Sequence, residues 1–204
     1  MNPNFHIPWQ ENQLAQSKSY LIFGCLFCCL CGAALAQKPK IENGVLDLRQ
    51  WNFERDGAIN LDGRWEFYYE AFLSDSALQN IAPANRNYLE VPAASWDIQP
   101  YRGKKIDGFG YATYRLRVWL PANCPPLALK TIDQSTAYQL FIDKQLIARI
   151  GTLGKTKETH IGSAQTGIFT FQPTAKEISI RVHISNFSHR KGGLWHSFQL
   201  GTIA

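Results

Sequence analysis

The chain has 204 residues, 45% of them hydrophobic and 18% charged, with a formal net charge of +5 and an isoelectric point near 9.0. Its basic residues (Arg102, Lys104, Lys105, Arg115, Arg117, Lys155, Lys157, Arg181, Arg190, Lys191) are scattered and form no stripe or motif, which excludes a nucleic-acid-binding protein. What the charge supports is a mild attraction to anionic glycans or lipid head groups.

Residues 1–36 read as a signal peptide. Lys18 precedes an uncharged stretch over residues 19–36 that is densely apolar at its centre, and Ala34-Leu35-Ala36 supplies the small residues of a cleavage site before Gln37. At about 16 residues the apolar run is shorter than the ~20 a spanning helix needs. An uncleaved inner-membrane anchor is the alternative. Four of the five cysteines (Cys25, Cys28, Cys29, Cys31) lie in this leader, leaving Cys124 in a loop with no partner for a disulfide and no zinc spacing. The expected location is therefore the periplasm, with stability coming from a core that the rest of the chain is long enough to bury.

Residues 37–44 form a polar lead-in containing Pro39. Strands are then predicted over residues 45–48, 65–69, 88–91, 112–120, 128–132, 138–142, 145–150, 167–171, 178–184 and 197–200, with one short helix within 71–81. In the longest runs Tyr114, Leu116, Val118 and Leu120 alternate with Thr113, Arg115, Arg117 and Trp119. Likewise Ile178, Ile180, Val182 and Ile184 alternate with Ser179, Arg181, His183 and Ser185. A period of two predicts one dry and one wet face, so Arg115 and Arg117 are expected on a solvated face. Strands at this spacing, broken by Gly, Pro and Asn, predict a single all-β sandwich or jelly roll over residues 45–204. The long irregular segments 92–110 and 151–166 are where binding residues are expected.

No nucleophile elbow, phosphate loop, HExxH or paired Cys-x-x-Cys is present. The loop acids Asp97, Asp107, Asp133 and Glu158 show no spacing that marks a catalytic pair. His183, His189 and His196 suit no compact metal site. The chain reads as a non-enzyme without a cofactor.

Four motifs in order carry a family resemblance. Gly63-Arg64-Trp65-Glu66-Phe67-Tyr68, Val91-Pro92 with Trp96, Gly110-Tyr111-Ala112-Thr113-Tyr114-Arg115, and Asn186-Phe187-Ser188-His189 with Gly192-Gly193-Leu194 resemble galactose-binding-like jelly rolls. Together they are most similar to the extracytoplasmic sensor domain of bacterial seven-transmembrane receptors with diverse intracellular signalling modules. More loosely, they resemble the N-terminal sugar-binding-like domain of β-galactosidases and β-glucuronidases. Two departures are Asp143-Lys144 where an Asn-Gly turn is expected, and the absence of membrane spans after Gly201. The latter leaves a stand-alone domain, a truncated product or half of a split receptor.

The resemblance implies an exported sensor-type domain for a carbohydrate or small polar ligand, with a membrane-embedded signalling partner encoded nearby. The alternative is an accessory domain, or remnant, of a glycoside hydrolase. A ligand site is expected where segments 92–110 and 186–195 converge, built from Trp96, Arg102, Tyr111, Asn186, His189, Arg190 and Trp195. Aromatic faces would stack on C–H groups while forked or ring donors read hydroxyls or a carboxylate. Trp65 is expected in the core, and Trp96 fits either core or site.

Overall fold

The computed structural model describes residues 38–203; the predicted leader and its cleavage point lie outside the described residues. The elements are β1 (Val45–Asp47), α1 (Phe53–Asp56), β2 (Ile59–Asn60), β3 (Gly63–Tyr69), α2 (Asp75–Gln79), β4 (Tyr88–Val91), β5 (Gly110–Trp119), β6 (Leu127–Thr131), β7 (Ala137–Ile142), β8 (Gln145–Ile150), β9 (Gly167–Phe171), β10 (Glu177–Asn186) and β11 (Gln199–Thr202). Among the described residues they build an all-β sandwich of two sheets. The larger has the order β4-β3-β5-β10-β7-β8, and the smaller β2-β11-β6-β9. β3 lies along the first half of β5 through Glu66–Arg115 and Tyr69–Ala112. β1 continues the same edge in parallel from Val45–Arg117 to Asp47–Trp119.

The strand runs with period two form the middle of the larger sheet, where β5 and β10 pair over their full length from Glu177–Trp119 to Asn186–Gly110. Tyr114, Leu116, Val118, Ile180, Val182 and Ile184 point to the small sheet and are buried with Leu127, Leu129, Phe198 and Leu200. Trp65 is fully buried and meets Phe198 edge-on at 6.5 Å, as expected of a core tryptophan. Tyr138 donates its hydroxyl to Thr131 Oγ1 at 2.9 Å, tying the two sheets through a satisfied buried polar group. The β7–β8 hairpin turns at Asp143, which takes the left-handed conformation (φ 53) usual for Asn or Gly. Its carboxylate accepts the Ser179 N–H at 2.8 Å, a bond that suits an Asp at this position.

Two short elements were not legible from periodicity, β2 and α1, because two to four residues are too few to show a period. The helix α1 starts on Asn52, whose side chain accepts the N–H groups of Glu54 and Arg55.

The expected wet face of the larger sheet is not wet. Thr113, Arg115, Ser179, Arg181 and Ser185 are all buried, and only 23% of the Arg117 side chain is exposed. The cause is mainly the segment between β3 and β4, residues 70–87, which lies across that face as a strap; Ser185 is covered instead by segment 151–166, accepting the Gly154 N–H at 3.2 Å with His160 Nδ1 at 2.9 Å. The strap's buried backbone needs hydrogen-bond partners, and polar strand side chains supply them. Thr113 Oγ1 donates to Ala71 O at 2.7 Å and accepts Leu73 N–H at 2.9 Å. Arg181 donates to Leu73 O at 2.8 Å and Arg115 to Leu78 O at 3.4 Å. His183 Nε2 lies 2.8 Å from the same Leu73 oxygen. Alternation correctly separated the faces, but polar residues here mark a polar interior seam.

At the centre of that seam Glu66 is fully buried, with Arg115 at 3.7 Å and Arg86 and Arg117 each at 3.9 Å. Glu66 Oε2 accepts the Tyr68 hydroxyl at 3.0 Å. Burial, and then the Glu66 charge, push the Tyr68 phenol well above its ordinary range. Gly44 sits against this carboxylate at φ 71, and a Cβ there would come within 2.7 Å of Glu66 Cγ. The tight approach requires glycine.

Candidate functional site

Segments 92–110 and 186–195 do meet, but as a packed junction. Ala93 N–H donates to Leu194 O at 3.2 Å and Trp96 N–H to Gly192 O at 2.9 Å. Asn186 is fully buried, donating through Nδ2 to Gly108 O at 2.8 Å and His189 O at 2.7 Å while its Oδ1 accepts His189 N–H. Its amide is spent on holding the two segments together. Trp96 is likewise fully buried, edge-on to Tyr69 at 5.6 Å and close to Phe67 at 6.1 Å. Asn186, expected at a ligand site, is drawn inside because strand β10 ends under the loop, and Trp96, for which core and site were both open, takes the core position.

The other expected residues disperse. The Trp195 indole donates to Gln134 O at 2.8 Å, its ring is stacked by His189 at 5.5 Å and flanked by His196 at 4.1 Å, and the Lys191 ammonium lies 4.8 Å from its centroid. It borders a separate shallow cleft of ≈ 330 Å³ with Asn60, Pro92, Lys130 and Gln199. Arg190 is exposed. Tyr111 lies on the larger sheet's outer face, packed on Phe72 at 4.9 Å with Lys155 5.6 Å from its ring. Of the seven, Arg102 alone lines a larger cleft beside Tyr68, Tyr69 and Tyr101.

That cleft, of ≈ 940 Å³, opens between the strap, the end of β3 and the loop after β4. Residues 101–104 close a tight turn with paired backbone bonds between Tyr101 and Lys104 at 2.8 and 3.0 Å. Arg102 and Gly103 take positive φ of 51 and 73, the type I′ geometry that presents the first central side chain outward. Tyr101 is held edge-on by Phe67 at 5.4 Å, and the Arg102 guanidinium lies 5.4 Å from its ring. Arg102 Nε donates to Asn87 Oδ1 at 3.3 Å, and Asn87 Nδ2 donates to Asn85 O at 3.1 Å. Tyr68, Tyr69 and Asn80 complete the polar-aromatic lining. The Tyr69 hydroxyl donates to Phe109 O at 2.6 Å. Burial, followed by the charges of Glu70 and Asp107, raises its pKa to about 12, so it remains a neutral donor.

An aromatic and planar-polar mixture lines this cleft, which shares Tyr101 and Arg102 with the expected segment 92–110 but takes its other groups from residues 68–87 instead of 186–195. Sequence reasoning missed Tyr68, Tyr69, Asn80, Asn85 and Asn87. Three asparagines within residues 80–87, between two strands, were the available signal.

No protein-family model and no curated protein matches the chain. Solved structures do. A glycosyl hydrolase family 2 member from Bacteroides cellulosilyticus is similar over 71% of this chain and 20% of its own, with a TM-score of 0.52 and 13% identity. A β-glucuronidase from Ruminococcus gnavus, in complex with N1-substituted uronic isofagomine, is similar over 70% of this chain and 29% of its own, with a TM-score of 0.51 and 16% identity. The chain therefore spans less than a third of either solved chain. At these identities the likeness is one of fold: this sandwich is the fold found within both.

Proposed function

We propose that this protein is a non-catalytic ligand-recognition domain whose site is the cleft of Tyr101, Arg102 and Asn87. Its ligand is a carbohydrate or another small polar molecule. The observation that carries this reading is the convergence on one cleft of tyrosine faces, asparagine amides and a guanidinium, the groups that stack on a sugar ring and read its hydroxyls. A glycan-array and calorimetric screen tests it. Tyr101→Leu and Asn87→Ala should each weaken a hit by roughly 1–3 kcal/mol, and a hit untouched by both would place the site elsewhere.

The same reading places the domain outside the cytoplasm, signalling through a membrane-embedded partner. Support comes from the predicted leader and the motif order; among the described residues no helix is long and apolar enough to cross a membrane. Protein recovered from the envelope should begin at Gln37, and a full-length cytoplasmic product would refute export. A neighbouring reading frame for a multi-span protein with a cytoplasmic signalling module would identify the partner.

A second reading is an accessory domain or remnant of a glycoside hydrolase, favoured by the fold shared with family 2 members. Such a domain docks through a large apolar patch. On the outer face of the small sheet Ile168 is 65% and Ile132 40% exposed, but register places Asn60, Gln199 and Lys130 in the same row as Ile168. That interruption by polar residues favours the first reading.

A further inference from the structure

We propose that the cleft selects ligands carrying a carboxylate beside their hydroxyls, an acidic sugar or close analogue, with Arg102 as the carboxylate reader. This rests on the cleft being the ligand site and goes on to name the class of ligand.

The argument is one of charge. Arg102 is the only charged side chain in the cleft lining. Its Nε is oriented by Asn87, and its ion-pairing capacity is met by no carboxylate among the described residues. A guanidinium held by one neutral acceptor is a fork ready for a planar anion. Behind the Tyr68 wall lies the buried seam, where the guanidiniums of Arg86, Arg115 and Arg117 share the carboxylate of Glu66 and Arg181 lies near Asp75. Three guanidiniums around one fully buried carboxylate leave this seam with an excess of positive charge.

Three of these guanidiniums, those of Arg86, Arg117 and Arg181, have a buried Nε without a hydrogen bond. Arg86 stands between Asn85 and Asn87, so the strap that carries the cleft amides also carries part of this excess charge. Positive charge behind a partly desolvated cleft favours a counter-anion in front of it, since charges screened by water on one side alone still interact over several ångströms. The rest of the ligand, facing amides and phenols, is best made of hydroxyl groups.

The test is calorimetry on the purified domain with matched neutral and acidic sugars, mannose against mannuronate among them, and with citrate as an open-chain acid. The acidic member should bind about tenfold or more tightly than its neutral partner, as one charge-assisted contact allows. Raising salt from about 0.02 to 0.3 M should erode only that preference. Arg102→Gln, at an exposed turn position and checked by its melting temperature, should cut the acid-to-neutral ratio to about threefold or less. Equal binding of both members by the wild type, or a ratio preserved in Arg102→Gln, overturns the proposal while leaving the cleft reading intact. Citrate binding as tightly as the sugar acid overturns the requirement for hydroxyls. If neither member binds, or binding ignores Tyr101→Leu, the cleft reading fails and this proposal fails with it.

Discussion

Glu66→Gln should be among the most destabilising single substitutions in this domain, although it changes one atom. Glu66 is fully buried and is the shared counter-charge of Arg86, Arg115 and Arg117. Removing one partner from a buried ion cluster strands the others, a loss of about 3–5 kcal/mol. For a domain of this size that is about 6–20 °C in melting temperature. Adding Arg117→Gln should recover part of the loss, because removing both partners costs less than removing one. An unchanged melting curve for Glu66→Gln would show that the seam is hydrated and its charges already screened.

Two buried histidines predict the response to acid, His183 in the seam and His160 beside Ser185. Burial lowers the pKa of His183, with a smaller opposing effect from its bond to Leu73 O, and burial also lowers that of His160. A histidine whose folded pKa is depressed is kept neutral by the fold, so the unfolded chain binds more protons. Its contribution to stability is therefore complete above the ordinary value of 6.5 and is lost as pH falls below it. Melting temperature should fall between about pH 7 and pH 5.5. His183→Gln, which can still donate to Leu73 O, should flatten that slope, and an unaltered slope would assign it to other groups.

Trp96→Ala separates two roles that tryptophans in such loops take. As a fully buried ring against Phe67 and Tyr69, its truncation should cost about 3–5 kcal/mol through lost burial and the cavity left behind. That corresponds to about 6–20 °C. Ligand affinity, measured on the folded fraction, should be nearly unchanged. A ligand-stacking tryptophan would give the reverse: a small thermal effect and a large loss of binding. Gly193 shows why the ring is fixed, since a Cβ there would meet the Tyr114 hydroxyl at 2.6 Å and the Trp96 ring at 3.3 Å.

These expectations depend on different amounts of sequence information. The all-β class, the strand positions in the two long runs and the core face of each were legible, because a pleated strand repeats every two residues and Tyr114 to Leu120 or Ile178 to Ile184 obey that period. The Asp143-Lys144 turn was also visible as a break, though not the Ser179 bond that makes Asp suitable there. What lay on the other face was invisible to periodicity. Thr113, Arg115, Arg181 and His183 look like solvated residues until the strap is laid over them, and their partners are backbone atoms of Ala71, Leu73 and Leu78 at least 37 residues away in the chain.

The proposed site followed the same logic. The chemical mixture could be expected from composition and motif order, but its location depended on which side chains the fold had already used. Asn186 and Trp96 are consumed in closing the junction between segments 92–110 and 186–195. Tyr101, Arg102 and Asn87 are held by neighbours at the cleft. A side chain's chemistry is written in the sequence, whereas its availability depends on long-range contacts that only the folded chain makes.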